Sequence, residues 1–223
     1  MIDLGHVPYR EAWEVQERLR WQRQKGEISD TILLVEHSPV ITIGRDPKGK
    51  KDFLESPEWF KKNGIEIIET NRGGKLTYHG PEQLVAYFIF DLKEANISIH
   101  SFVKRIEKIG AGLLHHFGLE VSFRDGNPGV WTPQGKILFI GLHVSRNVTL
   151  HGMALNVGGS LAVWEKFIPC GLQDCAVTSM EKELQKKISV DTVKREFRNQ
   201  ASLISENVGA APREPLVSSC SCS

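Results

Sequence analysis

Residues 84–90 (LVAYFIF) are apolar from end to end, with no polar side chain at alternate positions. A strand with one wet face alternates, so this run predicts a strand covered on both faces. Such a strand needs one layer of structure above it and another below. Two further apolar runs, 137–144 (ILFIGLHV) and 150–157 (LHGMALNV), lie either side of Asn147-Val148 and read as paired strands. Upstream, 31–36 (TILLVE) reads as a buried strand, and Ser38-Pro39 ends it. Residues 40–44 (VITIG) and 65–69 (IEIIE) follow as strands, with 45–52 (RDPKGKKD) as a solvated basic loop.

Helical spacing supplies the covering layers. Residues 8–25 carry Tyr9, Trp13, Val15 and Leu19 among Arg, Glu and Gln. Residues 100–118 place Phe102, Ile106, Ile109, Leu113 and Phe117 three to four apart. Residues 56–64 have Ser56 as N-cap, Pro57 at the first helical position and Gly64 past the end. Short helices are expected over 178–187 and 190–205. Strands outnumber helices without strict alternation, which predicts an α+β fold with a mixed sheet flanked by helices rather than a doubly wound one. We expect a single domain over 1–205. The last stretch, 206–223 (ENVGAAPREPLVSSCSCS), has little to bury and is expected to be a mobile tail.

Composition removes several function classes. A chain of 223 residues buries roughly 70–75% of its unfolded surface and needs no disulfides. Its cysteines, Cys170, Cys175, Cys220 and Cys222, sit late and unevenly, which is not a disulfide framework. Lys+Arg 28 against Asp+Glu 27 leaves a net charge of +1, so no bulk field favours nucleic acid. No apolar run approaches the ~18 residues of a membrane span. Asp3, Glu11, Glu14 and Glu17 fit neither a signal peptide nor a transit peptide, so a cytoplasmic protein is expected.

Common cofactor signatures are absent. Residues 129–137 (GVWTPQGKI) resemble a P-loop but have five residues between the glycines, and Ile137 stands where Ser or Thr should bind Mg²⁺. There is no G-x-G-x-x-G and no H-E-x-x-H. His115-His116 lies on an amphipathic helix, and Cys220-x-Cys222 has no second ligand pair, so no metal is expected.

Four segments remain. Residues 72–83 (RGGKLTYHGPEQ) put Arg72, Thr77, Tyr78 and His79 between Gly73-Gly74 and the turn Gly80-Pro81. A decorated hairpin and a binding loop explain this equally well. Lys136 stands at the mouth of an apolar strand. Its ordinary reading is a stem on apolar surface with the ammonium in water, although a lysine near buried surface loses its proton more readily. Gly152 and Ala154 leave room for a ligand, or simply for a crossing strand. Cys170, between Pro169 and Gly171, sits in a turn with an accessible thiol, whereas Cys175 beside Ala176 and Val177 reads as structural. A base for Cys170 is either His79, His143 or His151, or else a lysine. Spacing does not choose between them.

Together, 33–45, 72–84, 129–141, 151–157 and 168–180 resemble the lipoyl(octanoyl) transferases, the octanoyl-[acyl-carrier-protein]–protein N-octanoyltransferases. The resemblance implies a fold like the biotin/lipoate protein ligase catalytic domain. It implies Cys170 as the nucleophile that carries the acyl thioester and Lys136 as its activator. It implies an acyl site lined by Arg72, Gly73, Gly74, Lys75, Leu76, Thr77, Tyr78 and His79, by Phe139, Ile140 and Gly141, and by Gly152, Met153 and Ala154. His79 would orient the loop rather than act as base. No cofactor is expected, because the acyl group arrives on the phosphopantetheine arm of acyl carrier protein. The acceptors would be lipoyl domains of 2-oxoacid dehydrogenase E2 subunits and glycine cleavage H protein.

Two departures stand out: Pro81 follows Gly80 where a third glycine is common, and Phe139 replaces a small residue. If that ring enters the acyl tunnel, chain-length preference would differ. The tetrahedral oxyanion would be met by amides near Gly171 or Gly73-Gly74. Both protein partners are expected to be acidic, with docking patches at Arg45, Lys48, Lys50 and Lys51 or at Lys104, Arg105 and Lys108. The rivals are an ATP-dependent lipoate or biotin ligase, an octanoyl amidotransferase between lipoylated proteins, and a carrier-domain binding module without turnover.

Overall fold

The computed structural model describes residues 1–172 and 175–206, with side chains through Ala201. Nine strands are assigned among them: β1 (Ile2–His6), β2 (Thr31–Glu36), β3 (Val40–Ile43), β4 (Glu66–Glu69), β5 (Leu76–His79), β6 (Gln83–Ile89), β7 (Gly129–Thr132), β8 (Gly135–Ser145) and β9 (Val148–Asn156). The helices are α1 (Tyr9–Gln24), α2 (Pro57–Lys62), α3 (Ile99–His116), α4 (Met180–Leu184) and α5 (Val190–Glu206). Glu206, assigned to the tail by sequence, ends α5. The rest of that tail, with Cys220 and Cys222, lies outside the described residues.

The strand β6 is buried at every position, as its unbroken apolar run requires. Leu84, Ala86 and Phe88 pack toward α3 and α5 with Phe102, Ile106 and Phe197. Val85, Tyr87 and Ile89 pack toward α1 with Tyr9, Ala12 and Leu19. The sheet carrying β6 runs β1-β2-β6-β9-β8-β7. It is mixed, with β1 parallel to β2 and the other pairs antiparallel. The class expected from the sequence, α+β with a mixed sheet and flanking helices, is the one observed.

The sequence did not resolve a second sheet. β3 leaves β2 and joins a three-stranded sheet, β4-β3-β5. Pro39 has no N–H to continue the β2 ladder. His37 is fully buried at the crossing, with Nδ1–H donating to Val7 O (2.9 Å) and Nε2 accepting from Tyr87 O–H (2.7 Å). Two sheets with a gap between them leave room for a cavity.

Three strands had no clear signature. β1 (IDLGH) is mostly exposed and is tied down by charge: Asp3 pairs with the buried Lys194 (3.1 Å) and with Arg198 (2.8 Å), both on α5. β7 pairs with β8 across the short turn Pro133-Gln134, so the P-loop look-alike is a hairpin. β5 is strand rather than loop. The basic segment at 45–52 is solvated as expected at Arg45, Lys48, Lys50 and Lys51, but it winds into a 3₁₀ turn over Pro47–Asp52, capped by Asp46 Oδ1 accepting from Lys48 N (2.9 Å) and with Asp52 buried. Ser56 caps α2 as expected, and Gly64 follows with φ +69°.

Candidate active site

Lys136 is the second residue of β8. Its N–H donates to Ala176 O (2.8 Å) and its carbonyl accepts from Thr178 N (3.1 Å), a parallel bridge to Val177. Gly135 makes this approach feasible, because a Cβ there would lie 2.5 Å from Ala176 O. Upstream, Ile168 N donates to Asp52 O (2.7 Å), and Phe53 bridges Phe167. The turn Pro169–Gly171 is thus held from both sides. At its centre Cys170 has φ +55°, a left-handed conformation that a side chain adopts only at a cost.

That conformation brings Cys170 Sγ to 3.8 Å from Lys136 Nζ. Lys136 is 2% exposed, so the reading with its ammonium in water is wrong. Nζ lies 5.2 Å from the Trp131 ring centre and 5.1 Å from that of Phe139. Arg124 stacks on Trp131 at 3.8 Å. Cys175 is chemically different: burial pushes its thiol up to about 11.

A cavity opens beside Cys170, between the two sheets. Its ceiling is Arg72, Gly73, Gly74 and Lys75, then Leu76, Thr77 and His79 of β5. Its floor is Phe139, Ile140 and Gly141 of β8, Gly152, Met153 and Ala154 of β9, and Val85 and Tyr87 of β6. Tyr9 and His151 also line it. Of the residues expected to line an acyl site, Tyr78 alone is not on this surface. It follows the alternation of β5 outward and packs edge-on against Trp164 (6.0 Å). Phe139, on the wall of the cavity, stacks on Trp164 (4.5 Å, 18°) beside Lys136.

Arg72 ties the ceiling together. Nε donates to Thr42 Oγ1 (2.9 Å), Nη1 to Gly73 O (2.9 Å), and Nη2 to Thr42 O (2.6 Å) and Lys75 O (2.7 Å). Gly44 is required where this loop crosses β3, since a Cβ there would meet Gly74 O at 2.1 Å. Lys75 pairs with Asp52 (3.2 Å) and runs past Gly171. Of the candidate oxyanion amides near Gly171 or Gly73-Gly74, those of Gly73 and Gly171 donate to Leu142 O (2.8 Å) and Ile168 O (3.3 Å).

His37, His79 and His151 are buried and hydrogen-bonded. His79 Nδ1–H donates to Gln83 Oε1 (2.7 Å), and His151 Nε2–H to Asn71 Oδ1 (2.6 Å). Tyr9 O–H donates to His151 Nδ1 (3.3 Å) and its ring stacks on His79. Burial pushes His37 down to about 4, and His79 and His151 to about 3. His143 lies toward Arg45, Glu17 and Arg20. Among the described residues, the hydrogen-bond partner recorded for the Cys170 thiol is Lys136. The geometry therefore presents a Cys–Lys pair, the choice that spacing left open.

These histidines set a pH dependence. Their folded values lie below the ordinary 6.5, so the unfolded chain binds more protons between about pH 6.5 and pH 4. Stability is complete above pH 6.5 and is lost as pH falls through that window. At about 1.4 kcal/mol per pH unit, each histidine withdraws roughly 2 kcal/mol by pH 5. Urea titrations should show the unfolding midpoint falling steeply from pH 6.5 to pH 4.5. A flat profile would mean that the three rings do not stay neutral in the folded protein.

The sequence profile of the lipoyl protein ligase A/B catalytic domain matches residues 8–202. The chain belongs to this family. Within it, the chain is 45% identical to an octanoyltransferase of Koribacter versatilis over 86% of this chain and 78% of that one. It is also 45% identical to an octanoyltransferase of Caldicellulosiruptor bescii, over 85% and 84%. An octanoyltransferase of Dictyoglomus thermophilum is 42% identical, over 85% and 79%. Solved structures of lower identity share the fold: a lipoate-protein ligase A bound with ATP (TM-score 0.76, 17% identity, 92% and 85% covered) and a biotin protein ligase from Aquifex aeolicus in complex with biotin and ATP (0.56, 17%, 93% and 69%).

Tyr9, Val85 and Tyr87 line this cavity without having been singled out, and Gly44 and Thr42 support it. Tyr9 reads as ordinary helix core, and Val85 and Tyr87 sit inside the apolar run. The structural work of Gly44 is legible only once β3 and the 72–75 loop are seen to cross. Of the expected docking patches, Arg45, Lys48, Lys50, Lys51 and Lys108 are exposed and Lys104 and Arg105 half-buried, with Lys50 paired to Glu69 and Lys104 to Glu107 (2.9 Å). No helix among the described residues is long and apolar enough to cross a membrane.

Proposed function

We propose that this protein moves an octanoyl group from the phosphopantetheine thioester of acyl carrier protein to a lysine on a lipoyl domain. The acyl group rests in between as a thioester on Cys170. The observation that carries this reading is Cys170 Sγ 3.8 Å from a buried Lys136 Nζ, at the mouth of a cavity with a largely apolar floor. The octanoyltransferase relatives support the choice of acyl group.

Lys136, as the neutral amine, takes the proton of Cys170, and the thiolate attacks the donor thioester. Collapse expels the phosphopantetheine sulfur, which recovers the proton from Lys136. The acceptor amine then attacks the acyl-enzyme, passes a proton to Lys136 and forms an amide as Cys170 leaves. One thioester is exchanged for another and then for a more stable amide, so no ATP and no cofactor is consumed. The Lys75 ammonium, beside Gly171, is the donor we assign to the oxyanion. Acceptors are the lipoyl domains of 2-oxoacid dehydrogenase E2 subunits and of glycine cleavage H protein. The cytosol, where thiols stay reduced, is the compartment this chemistry suits. The exposed Arg45, Lys48 and Lys51 lie next to the turn that holds Cys170 and suit an acidic carrier domain.

The decisive experiment mixes the protein with octanoyl-acyl carrier protein, without ATP or acceptor, and weighs the intact chain. A hydroxylamine-labile octanoyl adduct is expected in wild type and not in Cys170→Ser. Product formation that needs ATP and leaves Cys170 unmodified would replace this reading with the ligase one.

A further inference from the structure

We infer that Arg124 holds the phosphate of the donor's phosphopantetheine arm, and that the site tells its donor from other thioesters by that anion. This rests on the acyl-enzyme reading of Cys170.

The placement follows from the contacts that lead out of the site. Cys170 lines the cavity that takes the acyl chain, whereas neither Lys136 nor Trp131 does. The leaving sulfur must meet Lys136 to recover its proton, so the rest of the arm departs on the lysine's side. Trp131 is opposite Lys136 in the β7–β8 hairpin, with its ring centre 5.2 Å from Nζ. Arg124 lies on that ring, with Cζ 3.8 Å from its centre, and is exposed to solvent. The series Cys170, Lys136, Trp131, Arg124 therefore runs from the nucleophile to the surface. With 3.8 Å between Sγ and Nζ, these contacts place the guanidinium within about 13 Å of the thiol. About thirteen bonds separate sulfur from phosphorus in the arm, which extends to roughly 16 Å, so its phosphate reaches Arg124.

Arg124 is also prepared for an anion. Ser122 and Trp131 exchange two backbone hydrogen bonds (2.8 and 3.0 Å), and Asn127 N donates to Arg124 O (3.1 Å), which ties the loop down beside the ring. Stacking uses the flat face of the guanidinium and leaves its N–H edges open. Among the described residues, no ion pair or side-chain hydrogen bond is recorded for those edges. Their fork matches two oxygens of a phosphate. The neighbouring carboxylate, Asp125, lies toward Lys104. Lys75, the cation on the cavity side of Cys170, is already paired with Asp52 (3.2 Å).

The test measures the rate of Cys170 acylation by intact mass, at donor concentrations well below saturation. The donors are octanoyl-pantetheine, octanoyl-phosphopantetheine and octanoyl-acyl carrier protein. The first two differ by the phosphate alone. Ratios between donors within one preparation do not depend on how much of a variant is folded or on how well its Cys–Lys pair works. In wild type, octanoyl-phosphopantetheine should react at least about tenfold faster than octanoyl-pantetheine, the worth of a charge-assisted hydrogen bond. Added salt should narrow that gap. Arg124→Gln should lower this ratio, and that of octanoyl-acyl carrier protein to octanoyl-pantetheine, about tenfold. Arg124→Lys should restore part of both, since it keeps the charge but not the fork. A wild-type ratio near one, or either ratio unchanged in Arg124→Gln, would overturn the phosphate site and leave the acyl-enzyme standing. An adduct that survives Cys170→Ser would overturn the acyl-enzyme, and the phosphate site with it.

Discussion

Lys136→Met should slow octanoyl transfer by about three orders of magnitude, the range that a positioned general base contributes. Its side chain is buried and, among the described residues, its recorded hydrogen-bond partner is Cys170. Methionine fills a similar volume without a polar tip to bury, so the variant should fold at least as well as wild type. The loss should also appear in a simpler reaction, alkylation of Cys170 by iodoacetamide, with its pH profile moved upward. Lys136→Arg separates two contributions. Its permanent cation would favour a thiolate, but it cannot take the proton. Alkylation should therefore recover in part while transfer stays low. Transfer by Lys136→Met within a few-fold of wild type would remove Lys136 from the mechanism.

Arg72→Leu should have the largest effect on stability, about 4 kcal/mol or more in urea unfolding. The guanidinium is 6% exposed and serves Thr42 Oγ1 and the carbonyls of Thr42, Gly73 and Lys75. Lys75 O keeps a second donor, Gly44 N (2.8 Å). Thr42 Oγ1, Thr42 O and Gly73 O would each lose this donor, at roughly 1–3 kcal/mol for each one left buried and unpaired. Released, the 72–75 loop would no longer roof the cavity, and octanoyl transfer should fall with stability. Arg72→Lys should not rescue either one, because an ammonium cannot span the fork that reaches both β3 and the loop. A loss below about 1 kcal/mol would mean that the loop holds its shape by other means.

The layers around β6 were legible because each rests on a local rule. An unbroken apolar run must be covered twice, and the helical spacing of 100–118 supplies one cover. The cap at Ser56 and the stop at Gly64 are likewise set by neighbouring residues. The segments that border the cavity were legible only through resemblance. On their own residues, Lys136 read as a solvated strand end and the 72–83 segment as an even choice between hairpin and loop.

The sequence by itself therefore determined the class of fold, its central strand, its flanking helices and the family. Those depend on periodicity, on caps and on motif order, which act within a few residues or are carried in the chain order itself. Only the tertiary structure decided that β2 and β3 part into two sheets, that Gly135 lets Ala176 close on Lys136, and that a left-handed Cys170 meets a buried lysine. It likewise stacked Phe139 on Trp164 and brought Tyr9 and Tyr87 to the wall of the cavity. Each of these is a contact between residues far apart in the chain. Such contacts are chosen by which surfaces can be buried together without stranding a polar group, and no local pattern encodes that choice.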